Sequence, residues 1–110
     1  MSLDDFMVST ALNVYEQERK NRIKLSLAAY AYEFKNTSII SDAEFDKLAL
    51  AINTEVSTIE EYHTDLVQIE RYKLLDNFFK TEFQPDTGQW IHKHPELDRL
   101  EALYHKLWRA

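Results

Sequence analysis

The chain has 110 residues, of which 45% are hydrophobic and 29% charged, and this balance suits one domain over residues 1–110 with a modest core. One glycine and two prolines are too few for the frequent turns of an all-β fold, and the lack of cysteine excludes disulfides and thiol chemistry. A formal net charge of −6 disfavours direct nucleic-acid binding, and no apolar run approaches the roughly 18 residues of a membrane span. We therefore expect a cytoplasmic protein that binds neither nucleic acid nor membrane.

The first predicted helix runs from about Leu3 to Phe34. Apolar residues recur there at three- and four-residue spacing, which is typical of one buried helix face. The members of this stripe are Leu3, Met7, Ala11 and Val14, followed by Ile23, Leu27, Tyr30 and Phe34. The polar segment at 16–22 interrupts the stripe and leaves a break near Asn21 open. We assign the basic residues at 19–24 to a solvated face of this helix, because mixed charge is normal on exposed helix surfaces.

The second predicted helix has a clear start. Ser41 is followed three residues later by Glu44, the spacing of a capping box in which each side chain satisfies an otherwise unpaired backbone N–H. Apolar residues follow at helical spacing, at Phe45, Leu48, Ala49 and Ile52. These signals predict a helix over residues 42–53.

A third helix is predicted from a second pair of the same spacing, Ser57 and Glu60. Its apolar residues continue as far as Phe83. Because Pro85 follows, we expect the helix to end before it.

The segment at 84–94 is predicted to be the one substantial loop, with Gly88 at a positive φ in a turn. His92 and His94 alternate in this loop, but no carboxylate or further histidine stands nearby at ligand spacing, so we predict no metal site. Pro95 suits the first position of a fourth helix. The sequence therefore predicts an all-α fold of about four helices.

Two carboxylates at the start of the second helix invite a functional interpretation. Asp42 and Asp46 lie one turn apart on the same face, where like charges repel by a few tenths of a kcal/mol. The helix dipole favours Asp42, but Asp46 has no such local explanation. We interpret the pair as more useful when a group with donors or positive charge docks against it.

The stretch "YAYEFKNTSIISDAEFDKL" resembles the N-terminal Ia domain of bacterial NAD-dependent DNA ligases. That domain carries a pattern of the form Tyr-x-Tyr-His/Tyr, a short loop, and then Ile-Ser/Pro-Asp-Ala-Glu-Tyr-Asp-x-Leu. The match runs without a gap from Tyr30 to Leu48, and "ISDAEFDKL" is its most specific part. A second, shorter likeness is "KHPEL" at 93–97. The resemblance implies a helix pair like that of the ligase domain. A stand-alone domain of this kind suggests a phage or prophage protein or a diverged accessory protein.

The resemblance also implies a ligand. In the ligases this helix pair clamps the nicotinamide mononucleotide (NMN) half of NAD. The family's binding residues map by motif onto Tyr32, Glu33, Asp42, Phe45 and Asp46. We expect the carboxylates to accept hydrogen bonds from the ligand and the rings to pack on the nicotinamide.

This chain departs from the ligase pattern at two positions. Glu33 stands where the family has a His or Tyr, and Phe45 replaces a tyrosine and so keeps the ring without the hydroxyl. The rest of the ligase, including its nucleotidyltransferase domain and lysine motif, has no counterpart in these residues. We therefore expect no enzymatic activity and no firmly held cofactor, only NMN or NAD as a possible ligand.

Two functional hypotheses follow. In the first, the protein binds NMN or NAD, or docks onto a nucleotidyltransferase or DNA ligase partner. In the second, it is a helical interaction module that keeps only the ligase-like fold and self-associates, for example as a homodimer. The second hypothesis rests on the aromatic content of six Phe, six Tyr and two Trp, and it offers Trp90 and Trp108 as candidates for a contact patch.

Overall fold

The computed structural model describes residues 13–60 and 63–108. Helix α1 spans Val14–Lys35, α2 spans Asp42–Ala51, α3 spans Leu66–Thr81 and α4 spans Leu97–Leu107, and a short 3-10 helix at Gln89–Lys93 precedes α4. No strand occurs within the two described ranges. The prediction of an all-α fold with about four helices is confirmed.

Helix α1 is the centre of the fold, because it packs against α2, α4 and the 3-10 helix. Every residue from 25 to 31 is buried, so this part of the helix is covered on all sides. Small residues permit that close approach, since Ala28, Ala29 and Ala31 add little bulk. The single predicted stripe is therefore only partly right: Ile23 and Phe34 belong to it but are 46% and 42% exposed.

The bounds of α1 differ from the prediction. The helix is continuous through Asn21, so the suggested break does not occur. Its described part begins after Asn13, whose side-chain oxygen accepts a hydrogen bond from the backbone N–H of Glu16 at 2.8 Å. The predicted start at Leu3 lies outside the described residues. At the other end, Asn36 takes a left-handed conformation and its N–H bonds the carbonyl of Ala31.

Arg22 corrects the assignment of the basic segment to a solvated face, because it is only 4% exposed. Its guanidinium donates to the carboxylates of Glu18 and Asp76 at 2.7 and 2.8 Å. It also donates to the carbonyls of Asn53 and Val56 at 2.8 and 3.1 Å. One arginine thereby ties α1 to α3 and to the segment between α2 and α3.

Helix α2 begins as predicted. The hydroxyl of Ser41 accepts from the backbone N–H of Glu44 at 3.1 Å, which confirms the cap. Ala51 is the last helical residue, two positions before the predicted end.

The predicted start of α3 is wrong. The helix begins at Leu66, where the side chain of Asp65 accepts from two backbone N–H groups of the first turn. The segment at 57–60 is not helical and makes tertiary contacts instead. Thr58 donates its hydroxyl to Asp76 at 2.7 Å, and the carboxylate of Glu60 accepts from Arg19 at 2.9 Å. These long-range bonds override the local capping signal.

The segment between α3 and α4 folds back onto the core. Trp90 and Ile91 in the 3-10 helix are buried, and Trp90 lies within about 6 Å of the rings of Phe79 and Phe83. Gly88 has a φ of −102°, so the predicted positive φ is wrong. Helix α4 begins after Pro95 and Glu96, two residues later than predicted.

Candidate functional site

A cavity of about 460 Å³ opens between α1, the start of α2 and the loop that leads to the 3-10 helix. We call it the acidic cavity. All five residues proposed from the ligase resemblance line it, although they come from two different helices. These residues are Tyr32, Glu33, Asp42, Phe45 and Asp46.

The aromatic part of the acidic cavity consists of Tyr32 and Phe45. Tyr32 is 60% exposed and Phe45 is half-buried against the core. The loop comes close to both helices at Gly88, where an added Cβ would lie 3.6 Å from the Cβ of Ala29 and 3.7 Å from the ring of Phe45. Because Ala29 and Gly88 have little or no side chain, they do not fill the cavity beside the ring of Phe45.

The carboxylates of Asp42 and Asp46 are exposed at the mouth of this cavity. Within the described parts of the chain, neither of them has a Lys, Arg or His nitrogen within 4 Å. Asp86 adds another carboxylate from the facing loop, and none of the described lining residues is a Lys or Arg. The cavity is therefore electronegative and suits a ligand that carries positive charge.

Glu33 differs from these aspartates because its carboxylate has a histidine partner. Its carboxylate lies 2.9 Å from Nε2 of His92, and the ring of His92 lies 4.7 Å from the ring of Phe34. Glu33 therefore has a side-chain partner, supplied by the segment that leads to α4.

Sequence reasoning missed the loop that forms one wall of the acidic cavity. Residues 86–89 line it, but they stand about forty positions after α2 in the chain. The only signal was the glycine in an otherwise polar turn, which indicates a close backbone approach without naming its partner. The segment at 38–40, between α1 and α2, also contributes to the lining.

The two loop histidines do not act as a pair. His92 bonds Glu33, whereas His94 is buried with its ring centroid 5.0 Å from that of Phe78. Nδ1 of His94 accepts from the backbone N–H of Glu96 at 2.9 Å, near the start of α4. In the described residues we find no group of three His, Asp or Glu side chains that could hold a metal ion.

A second cavity, of about 480 Å³, lies between α1, α3 and α4 and shares no lining residue with the first. Arginines stand along it, so we call it the arginine-rimmed cavity. Arg71 donates to both carboxylate oxygens of Glu96, at 2.6 and 2.9 Å. Burial alone would raise the pKa of Glu96, but the hydrogen bonds and charge of Arg71 outweigh burial and lower that pKa.

None of the family models, curated proteins or solved structures compared with this chain matches it. The resemblance to the ligase domain therefore rests on the residues from Tyr30 to Leu48. In the described parts of the chain, no helix is long and apolar enough to cross a membrane.

Proposed function

We propose that this protein is a small non-catalytic helical domain that binds NMN, free or as part of NAD, in the acidic cavity. The observation that carries the proposal is the convergence of five residues from two helices on one cavity. That cavity combines two aromatic rings with the carboxylates of Asp42 and Asp46, which have no Lys, Arg or His nitrogen within 4 Å among the described residues. A flat ring with a positive charge is the chemical group that this combination recognises best.

The nicotinamide ring of NMN has this character, because its glycosylated nitrogen carries a formal positive charge. Tyr32 and Phe45 offer ring faces for packing, while Asp42 and Asp46 offer negative charge and hydrogen-bond acceptors. The ribose hydroxyls can donate to the same carboxylates. Positive charge and hydroxyl donors together distinguish this ligand from a neutral aromatic compound.

The phosphate of NMN has no obvious partner in the acidic cavity, since none of its described lining residues is a Lys or Arg. We expect the phosphate to point to solvent and the affinity to be weak, in the millimolar range. AMP lacks the cationic ring and carries a phosphate, so it should bind more weakly still.

The test measures NMN affinity by isothermal titration calorimetry for the wild type and for Asp42→Asn/Asp46→Asn. The double variant removes two charges from the cavity and should lose at least about tenfold in affinity, which corresponds to roughly 1.4 kcal/mol. The matched control is Glu55→Gln/Glu70→Gln, which removes two exposed carboxylates outside the lining and should keep the wild-type affinity. Equal losses in both variants, or no NMN binding to the wild type, would contradict the proposal.

A ligand held this loosely suits a domain that presents it to another protein. The ligase resemblance implies a nucleotidyltransferase or DNA ligase as that partner. We propose that such a protein binds this domain. The test is co-elution of the domain with a purified nucleotidyltransferase in the presence and absence of NMN. Co-elution that needs NMN is the expected result.

A second candidate function is protein interaction, and exposed apolar side chains favour it. Leu50, Leu66 and Val67 are between 75% and 78% exposed. Trp90 is buried in the core and offers no contact patch, whereas Trp108 is 37% exposed. Light scattering over a range of concentrations decides whether the chain forms a homodimer. A mass that doubles with concentration, without any response to NMN, would favour this candidate.

A further inference from the structure

The arginine-rimmed cavity has apolar walls. Its lining includes aliphatic and aromatic side chains from three helices: Ile23 from α1, Tyr72, Leu75 and Phe79 from α3, and Leu100 and Leu103 from α4. A volume of about 480 Å³ lies within the range of sites that hold small molecules. Ile23 is 46% exposed at this opening, so the apolar surface is accessible from solvent.

The carboxylates around this cavity are already occupied by arginines. Glu96, the only Asp or Glu in the described lining, forms a two-pronged pair with Arg71. Arg19 is likewise held by Glu60 at 2.9 Å, and its guanidinium lies 5.1 Å from the ring centroid of Tyr72. These pairs leave little negative charge to oppose an anion at the opening.

Two further cations at the opening are much less engaged. The side chain of Arg99 is 68% exposed, and its nearest carboxylate contact is 4.0 Å away at Glu96. Lys106 is exposed two turns farther along the same face of α4, and no carboxylate of the described chain lies within 4 Å of its Nζ. The opening of the apolar cavity therefore carries two positive charges that are available to a ligand.

We propose that the arginine-rimmed cavity binds a small amphiphilic anion, an apolar carboxylate whose hydrocarbon body packs on Leu75, Leu100 and Leu103 and whose head meets Arg99 or Lys106. Charge complementarity selects this occupant, because the rim is cationic on a chain whose formal net charge is −6. A cationic amphiphile has the same apolar body but meets like charge at the rim. A short carboxylate such as acetate has the same head but no body to bury.

The test is an amide-NMR titration of the full chain with decanoate, below its micelle-forming concentration, beside decyltrimethylammonium and acetate. Decanoate should shift the amides of Leu75, Leu100 and Leu103 and leave Asp42 and Asp46 in place. Its affinity should exceed that of the cationic amphiphile by at least about tenfold, and acetate should cause no shifts. Equal affinity for the two amphiphiles, or no shifts around the cavity, would overturn the proposal.

Variants of the rim provide the second arm. Arg99→Gln/Lys106→Gln should weaken decanoate binding about tenfold and leave the amide spectrum of a folded protein. The matched control, Lys73→Gln/Lys80→Gln, removes two exposed cations of α3 that lie outside the lining and should bind decanoate as the wild type does. Equal losses of decanoate binding in the two variants, or no loss in the rim variant, would contradict the proposed ligand.

Discussion

The two cavities differ in how their carboxylates are used. Around the arginine-rimmed cavity, Glu18, Glu60, Asp76 and Glu96 each bond an arginine. In the acidic cavity, Asp42, Asp46 and Asp86 have no cation within 4 Å in the described chain. Paired and buried carboxylates hold helices together, whereas the exposed carboxylates of the acidic cavity contribute little to the fold and remain available to a ligand.

This difference separates the arginine network of α1 and α3, which stabilises the fold, from the acidic cavity, for which we propose NMN binding. The arginine network of α1 and α3 is largely buried and saturated with hydrogen bonds, so breaking it should cost stability. Neutral substitutions of Asp42 or Asp46 in the acidic cavity should instead leave stability unchanged and lower only the affinity for NMN.

The largest effect is expected for Arg22→Met. The substitution leaves the carboxylates of Glu18 and Asp76 partly buried without their cation, and breaking such a pair costs about 3–5 kcal/mol. Urea denaturation followed by circular dichroism measures the loss. Lys24→Met, on the exposed face of the same helix, is the control and should change the free energy of unfolding by about 0.5 kcal/mol or less.

A pH dependence of stability is the next effect. Burial, with a smaller contribution from Arg71, lowers the pKa of His94 from 6.5 to about 4, although the charge of Glu96 opposes this shift. Between those values the unfolded chain binds a proton that the folded chain does not. The contribution of neutral, buried His94 to the free energy of unfolding is therefore fully present above about pH 6.5. It is lost, by on the order of 3 kcal/mol, as the pH drops towards 4.

The variant His94→Asn should flatten this slope between pH 6.5 and 4. Glu96, whose pKa is lowered, should lose its stabilising contribution at more acidic pH in both proteins, so the difference between them isolates His94. His105→Asn alters an exposed histidine and is the control, which should keep the wild-type slope. Parallel pH profiles for His94→Asn and the wild type would contradict the assignment.

A direct contrast of paired and unpaired carboxylates gives an intermediate effect. Asp76→Asn weakens bonds to Arg22 and to Thr58 and should cost about 2 kcal/mol. Asp46→Asn, the same chemical change at an exposed position, should alter the free energy of unfolding by less than about 0.5 kcal/mol. Equal costs for the two variants would remove the distinction between paired carboxylates that stabilise the fold and exposed carboxylates that do not.

The smallest effect is expected at Gly88. Its φ of −102° is open to any residue, and an added Cβ would make ordinary contacts at 3.6 Å or more. Gly88→Ala should therefore leave stability unchanged or raise it by up to about 1 kcal/mol, because the unfolded chain loses conformational freedom. Thermal denaturation measures the change, and a clear drop in melting temperature would mean that the loop approaches α1 and α2 more closely than described.

Local signals in the sequence predicted some elements well. Ser41 caps α2 because its partner N–H lies only three residues away. The same spacing at Ser57 failed, since Thr58 and Glu60 bond partners on α3 and α1 that no local pattern reveals. Arg22 shows the same limit, because its burial depends on Asp76, which stands 54 positions away in the chain.

The candidate site was also only partly accessible from sequence. The motif placed five residues together because α1 and α2 are joined by a short loop, so their facing sides must meet. Asp86 and Gly88 could not be predicted, since the return of the loop is set by the packing of Trp90 in the core. The arginine-rimmed cavity was missed because its walls come from three helices.

The most direct test of the account is an amide-NMR titration of the folded protein with NMN, with AMP as the control. We predict shifts that cluster at Tyr32, Asp42 and Asp46, appear with NMN and not with AMP, and leave the amide of Leu100 unchanged. No shifts at millimolar NMN, or shifts at the arginine-rimmed cavity instead, would contradict the proposal that the acidic cavity binds NMN.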